Sequence, residues 1–371
     1  MTGPLAGVRI VMMGGLGPGP FCGMLLGDLG ADVVRVDPLA DVARTQVVDG
    51  VVRRSQRSIA VDVKDERGAD LVRTLAAGAD AFVDVFRPGA LERLGLGPDD
   101  LRARNPRLVY ARMTGYGQDG PLAPHAGHDI NYLAMAGALH AIGTPEAPVP
   151  PLNLVGDYGG GGMLLAVGLL SALIEARRSG EGQVVDVAMV DGAATLMGVF
   201  YGLLAEGQWE DRRGANVLDG AAHYYRTYET ADGGHLAVGA MEKPFYDELC
   251  RRLGVDLPQG DSPDAWAAHA EVMAARFRTR TRAEWEAELV HPQTCVTPVL
   301  SMTEAPHHPH HRARGTFVEV DGVVQPAPSP RFSRTVVSPP SSPALPGAHT
   351  HAVLAELGVD PAGLTEVVAQ R

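Results

Sequence analysis

Residues 8–13 form an apolar run ending in Gly14-Gly15-Leu16-Gly17-Pro18-Gly19-Pro20, and this junction constrains the fold more than any other stretch. Residues 21–29 then carry helical spacing in Met24, Leu25 and Leu29, Gly30 stops the helix, and residues 33–36 read as a second strand. Strand, glycine turn, helix and strand within about thirty residues make a βαβ unit, which requires a parallel sheet. A second round follows: a strand over 58–63, a helix over 68–77, a strand over 81–86 and another over 108–113. The expectation is an α/β, Rossmann-like parallel-sheet large domain over 1–190. It holds a buried helix at 163–177 and a further strand at 183–190, and a helix over 192–207 follows it.

The texture changes near Tyr224. Residues 225–229 and 235–240 alternate around Ala231-Asp232-Gly233-Gly234 and predict a hairpin, followed by helices over 242–253 and 265–289. This predicts a smaller α+β domain over 225–305, reached by a linker at 191–224 and left by one at 306–324. His307-His308-Pro309-His310-His311 has no companion Cys or carboxylate at ligand spacing, so it reads as a solvated loop and no metal site is expected.

Composition limits the partners. Asp and Glu outnumber Lys and Arg by 44 to 32, a formal charge of −12, which disfavours nucleic acid and anionic membrane surfaces. Any polyphosphate ligand must therefore meet a local group of cations. Lys64 and Lys243 are the only lysines, so Arg53, Arg54, Arg57, Arg87 and Arg93 are the candidates. Three widely spaced cysteines form no disulfide framework, and no secretory leader is legible, so a cytoplasmic location is expected. The apolar run 163–174 is too short to cross a bilayer, so no membrane span is expected.

The glycine turn invites a dinucleotide-binding reading, with Asp37 placed like a ribose-binding acid. The fingerprint fails in detail: counted from Gly15 or Gly17, its third glycine position holds Pro20 or Cys22. Two other segments carry more chemistry. One is Gly127-His128-Asp129-Ile130-Asn131-Tyr132. In the other, Asn153 to Gly162, Asp157 sits where a glycine-rich stretch enters an apolar helix. An acid there is ordinarily an N-cap, yet the same place offers free peptide N–H groups for an oxyanion.

Taken together, these segments resemble the type III CoA-transferase family, and specifically its α-methylacyl-CoA racemase branch. The resemblance runs through 15–20, 29–37, 86–89, 92–98, 112–118, 127–132, 153–163, 182–192, 295–299 and 328–335. It implies the type III CoA-transferase fold and proton transfer by His128 and Asp157, with Asn153 and Glu242 as accessory hydrogen-bonding groups. It implies CoA contacts at Val61, Asp62, Val63, Lys64, Val85, Phe86, Arg87 and Arg93, and at Gly127, Asp129, Ile130, Asn131 and Tyr132. No cofactor is implied beyond the CoA moiety of an acyl-CoA substrate. An interlocked homodimer is also implied: residues 325–371 return to complete the large domain, and the partner's small domain brings Glu242 to a shared active site. One departure is that Asp37 is followed by Pro38 where relatives often carry arginine: either Arg44 or Arg54 takes that adenosine or phosphate contact, or CoA binds less tightly.

The resemblance implies interconversion of 2R and 2S epimers of 2-methylacyl-CoA thioesters through an enolate. The alternative is CoA transfer between carboxylic acids through an aspartyl-CoA intermediate at Asp157. A nicotinamide oxidoreductase and a non-catalytic scaffold are the remaining readings. His128 separates the first two, since only a racemase needs a second base.

Overall fold

The computed structural model describes residues 2–260 and 262–369, which divide into two compact units. The first comprises Met1–Ala136, Leu152–Leu196 and Arg314–Arg371; the second comprises Gly137–Pro151 and Met197–Ala313. Residues 137–151, read from the sequence as part of the large domain, thus belong with the second unit.

The first unit is a mixed α/β fold around one seven-stranded sheet. Its strands are β1 (Arg9–Met13), β2 (Asp32–Pro38), β3 (Arg57–Val61), β4 (Ala81–Asp84), β5 (Val109–Thr114), β6 (Val184–Ala188) and a final strand, Val368–Ala369. The spatial order is Val368–Ala369, β3, β2, β1, β4, β5, β6. Neighbours pair in parallel except for the final strand, which runs antiparallel to β3. The order reverses at β1, flanked by β2 and β4, and a crevice opens at such a switch point beyond the strands' C-terminal ends.

Side chains alternate across each strand, so β1 serves two cores. Ile10 and Met12 join a cluster with Leu26 of α1 (Pro18–Asp28) and with Leu165 and Leu169 of a later helix. Val11 and Met13 join the opposite cluster with Leu71, Val72 and Leu75 of α2 (Glu66–Ala77). Burial on both faces explains why these strands read as continuous apolar runs.

The later helix differs from expectation. It begins nine residues early as a π-helical segment, Leu154–Met163, and continues as an α-helix over Leu164–Ser179. The 26 residues together are long and apolar enough to span a membrane by length and composition, contrary to the sequence reading. Half of the most apolar window is buried, with Leu165, Leu169 and Leu173 in the sheet's core cluster. The helix expected over 192–207 is two helices, Met189–Leu196 and Gly198–Ala205, parted at the junction of the two units.

Most of the arginines offered for phosphate are scaffolding. Arg54, 2% exposed, donates to Asp28 at 2.6 Å and to Gln325 Oε1 and the Pro326 carbonyl, both at 2.7 Å. It thereby ties the returning chain to the end of α1. Arg53 donates to Asp37 and to the Gly15 carbonyl, while Arg35 also pairs with Asp37, whose carboxylate accepts from the Ser58 hydroxyl. Arg57 bridges Asp32 and Glu356.

In the second unit, strands Tyr225–Glu229, His235–Gly239 and Val296–Pro298 form an antiparallel sheet over an aromatic core including Tyr246, Trp266, Phe277 and Trp285. The single helix expected over 265–289 is two, Pro263–Phe277 and Arg282–Leu289. Thr281 starts the second with a capping box, exchanging hydrogen bonds with Glu284.

Removing Arg54 strands Asp28 as an unpaired buried charge. Arg54→Ala should lower the first unit's stability by about 3–5 kcal/mol, measured by chemical denaturation.

Candidate active site

The switch-point crevice holds two adjoining cavities. The larger, about 770 Å³, is lined by Asp37, Pro38, Val61, Asp62, Val63, Lys64, Phe86 and Arg93 among others. The smaller, about 360 Å³, includes Gly17, Val85, Phe86, Arg87, Gly127, His128, Tyr132 and Asp157 in its lining. Phe86 is common to both.

The site residues between β4 and β5 are placed by one buried acid. Asp84, at the end of β4, accepts from the Phe86 peptide N–H at 2.8 Å and from the Tyr110 hydroxyl at 3.2 Å, which fixes the turn carrying Val85, Phe86 and Arg87. Burial pushes its carboxyl up to about 6, against the pull of these two hydrogen bonds. Asp84 escaped the sequence reading because an acid ending a buried strand looks like any strand terminus. The apolar residues packed around it were the available signal.

His128 immediately precedes helix Asp129–Met135, and its own N–H is capped by Asn131 Oδ1 at 3.0 Å. Tyr132, one turn on, donates its hydroxyl to the Gly127 carbonyl. Its ring occupies space that only glycine allows: a Cβ at Gly115 would lie 2.3 Å from it. Burial, and then the charge of Asp157, push the Tyr132 phenol up to about 12.

Asp157 lies in the opening turn of Leu154–Met163. In a π-helix each N–H reaches back five residues, and the Tyr158 N–H accordingly donates to the Asn153 carbonyl. The Asp157 N–H instead donates to Asp129 Oδ1 at 2.7 Å, so it is not free for an oxyanion as the sequence suggested. Asn153 Nδ2 donates to Asp157 Oδ2 at 3.2 Å. Burial raises the Asp157 carboxyl above the usual range; the Asn153 hydrogen bond opposes this, the charge of Asp129 adds to it and His128 counters it.

The structure therefore brings His128, Asp157, Gly127, Tyr132, Val85, Phe86 and Arg87 to one cleft, with Asn153 bonded to Asp157. Val61, Asp62, Val63, Lys64, Phe86 and Arg93 meet at the neighbouring cavity. Asp129, Ile130 and Asn131 are not among the cleft's lining residues: the first two begin the helix and the third caps it. Glu242 belongs to the second unit, exposed at the start of helix Lys243–Leu253, where its charge acts on Cys295. Of the two candidates for the contact missing at Pro38, Arg54 is buried in its ion pair. Arg44, paired with Asp41 at 2.9 Å, lines a small recess that also includes Pro38 and Arg53.

A histidine and a carboxylate facing one switch-point crevice is the arrangement of an α/β enzyme working by acid–base chemistry. The chain matches the model of CoA-transferase family III over residues 5–350 and belongs to that family. It is 44% identical to the α-methylacyl-CoA racemase of Mus musculus, over 95% of this chain and 93% of that protein. Identity to the Homo sapiens racemase is 42%, with the same coverage of each. Among solved structures, a CaiB/BaiF family protein from Brucella suis superposes with a TM-score of 0.81 at 28% identity, covering 96% of this chain and 100% of that one.

A carboxyl raised in the folded state keeps its proton where the unfolded chain has lost it, so stability falls as pH rises between the two values. For Asp84 that window runs from 3.8 to about 6. Asp84→Asn should remove a penalty of about 2–3 kcal/mol at neutral pH, seen as a smaller stability loss between pH 4 and 6 in denaturant titrations.

Proposed function

We propose that this protein is an α-methylacyl-CoA racemase, interconverting the 2R and 2S epimers of 2-methylacyl-CoA thioesters by two-base proton transfer. The observation that carries this reading is the meeting of His128 and Asp157 at one cleft beside a larger cavity edged by Lys64 and Arg93. The kinship with the two racemases supports the same reaction.

Inverting C2 requires a base on one face of the carbon and an acid on the other. Neutral His128 takes the α-proton from the 2S epimer, leaving an enolate, and protonated Asp157 returns a proton to the opposite face. The 2R epimer reverses the roles. The raised Asp157 carboxyl suits a group that must both hold and release a proton. Such catalysis supplies about 10²–10⁴-fold, so stabilisation of the enolate oxygen must supply a comparable share. The donors are the peptide N–H groups in the first turns of Asp129–Met135 and Leu154–Met163 that have no acceptor within their helix. The Asp157 N–H is excluded, being engaged by Asp129.

CoA occupies the larger cavity against Val61, Asp62, Val63 and Lys64, with Arg87 and Arg93 meeting its phosphates and Arg44 standing in for the arginine absent at Pro38. Binding energy from this remote part aligns C2 between the two bases. The working form is an interlocked homodimer in which Glu242 of the partner subunit orients His128.

Incubating one epimer in deuterated water should give deuterium at C2 together with the opposite epimer. His128→Ala and Asp157→Ala should each lower turnover by about 10²–10⁴-fold while thioester binding survives. CoA exchange with a free acid, without exchange at C2, would replace this reading with transfer through an aspartyl-CoA at Asp157. Arg44→Ala should raise KM by about tenfold and leave kcat unchanged, as expected for loss of a charged contact made equally in ground and transition states.

A further inference from the structure

Asp129 is 6% exposed, unusual for a carboxylate, and it pairs with no lysine or arginine among the described residues. Its Oδ1 accepts the Asp157 peptide N–H at 2.7 Å, across 28 residues of chain. Its Oδ2 is buried and has no partner among the described residues. The approach depends on Gly156: a Cβ there would sit 2.6 Å from Asp129 Oδ1.

An acid in the first turn of a helix ordinarily serves that helix, by facing its positive end from solvent. Asp129 begins Asp129–Met135 but turns its carboxylate into the protein, toward the opening turn of another helix. A buried charge with one strong hydrogen bond is a local energetic deficit. Such deficits concentrate at functional sites, where the geometry they enforce is of use.

Resting on the racemase reading, we propose that Asp129 is a positioning residue for the proton transfer, holding the Asp157 backbone so that its carboxylate faces C2 opposite His128. The dipeptide His128-Asp129 then serves both bases: one residue is a base, and its neighbour, directed to the other side of the chain, places the second. The arrangement also has an electrostatic consequence. Asp157 is faced by Asp129 and Tyr132 from Asp129–Met135, by His128 just before that helix, and by Asn153 just before its own. Of these, Asp129 is the like charge that favours the protonated carboxyl.

Asp129→Asn keeps an oxygen for the Asp157 N–H and removes the charge, whereas Asp129→Ala removes both. In full-length protein the Ala variant should lose about 10²-fold in kcat, the scale of a misplaced catalytic group, with KM little changed. The Asn variant should lose less. Its kcat profile with the 2R epimer, where Asp157 is the base, should have its acid limb displaced to lower pH. Carbon-13 NMR of the Asp157 carboxyl, assigned with Asp157→Asn, should show the same displacement. Gly156→Ala, which forces the Asp129 carboxylate away, should reproduce the kcat loss if Asp129→Ala fails to fold.

Wild-type kcat in Asp129→Ala would overturn the proposal. So would a kcat loss in Asp129→Asn without movement of either titration, which would make Asp129 merely structural. The carboxyl titration does not depend on turnover. A wild-type protein without C2 exchange would therefore refute the racemase reading, while the titration still decided the role of Asp129.

Discussion

The close backbone approach at Leu154–Met163 is the contact on which the rest of the site depends. Gly160 lies against helix Met189–Leu196 so tightly that a Cβ on Gly192 would fall 2.0 Å from the Gly160 carbonyl oxygen. On another side, Gly162 abuts α1, where a Cβ would meet the Phe21 ring at 2.7 Å. A ten-residue π-helix is costly, since its hydrogen bonds are poorly aligned and its glycines lose much conformational freedom on ordering. Packing on three sides compensates. The wider winding carries Asp157 in its opening turn, between the Gly17 turn and the start of Asp129–Met135. Without side chains in the way, three elements converge on one carboxylate.

Arginine has a different task from the one its abundance suggests. Arg35, Arg53, Arg54 and Arg57 each meet carboxylates, and three of the four are buried. These pairs add little net stability over an apolar packing, but they fix partners that hydrophobic contact would leave free to slide. Arg53 holds the Gly15 carbonyl, and Arg54 holds the returning chain at Pro326. What remains for an anionic ligand is a small set of exposed cations, Lys64, Arg87 and Arg93 around the two cavities and Arg44 in the recess beside Pro38.

The sequence made the parallel sheet legible because burial on both faces gives long apolar strands, and the glycine turn marks the first crossover. His128 and Asp157 were legible as members of specific segments rather than from any local chemistry. The π-helix was not, since four consecutive glycines read as loop until a neighbouring helix is known to press on them. Nor could the sequence say which arginines were buried: Arg54 and Arg93 look alike until Asp28 is brought to one of them. The division of labour within His128-Asp129 was equally hidden. Successive side chains leave a chain in different directions, but what each meets is decided by segments far along it.

Charge is distributed unevenly along the crevice, and this bears on how an anionic thioester can enter. The reacting end contains Asp157 with Asp129 beneath it, and Asp84 underlies the turn at the shared wall. The cations Lys64 and Arg93 edge the larger cavity, and Arg87 lines the smaller beside the shared Phe86. At physiological salt, screening acts over about 8 Å, so each cluster governs mainly its own cavity. On the binding mode proposed above, the phosphates of CoA are drawn to the cationic end and repelled from the carboxylates, while the uncharged thioester has little to lose beside them. A reversed molecule would set phosphate against buried carboxylate, which is the costlier contact. On the mechanism proposed above, the carboxylates around Asp157 thus also help to fix which end of the substrate arrives at the reacting cleft.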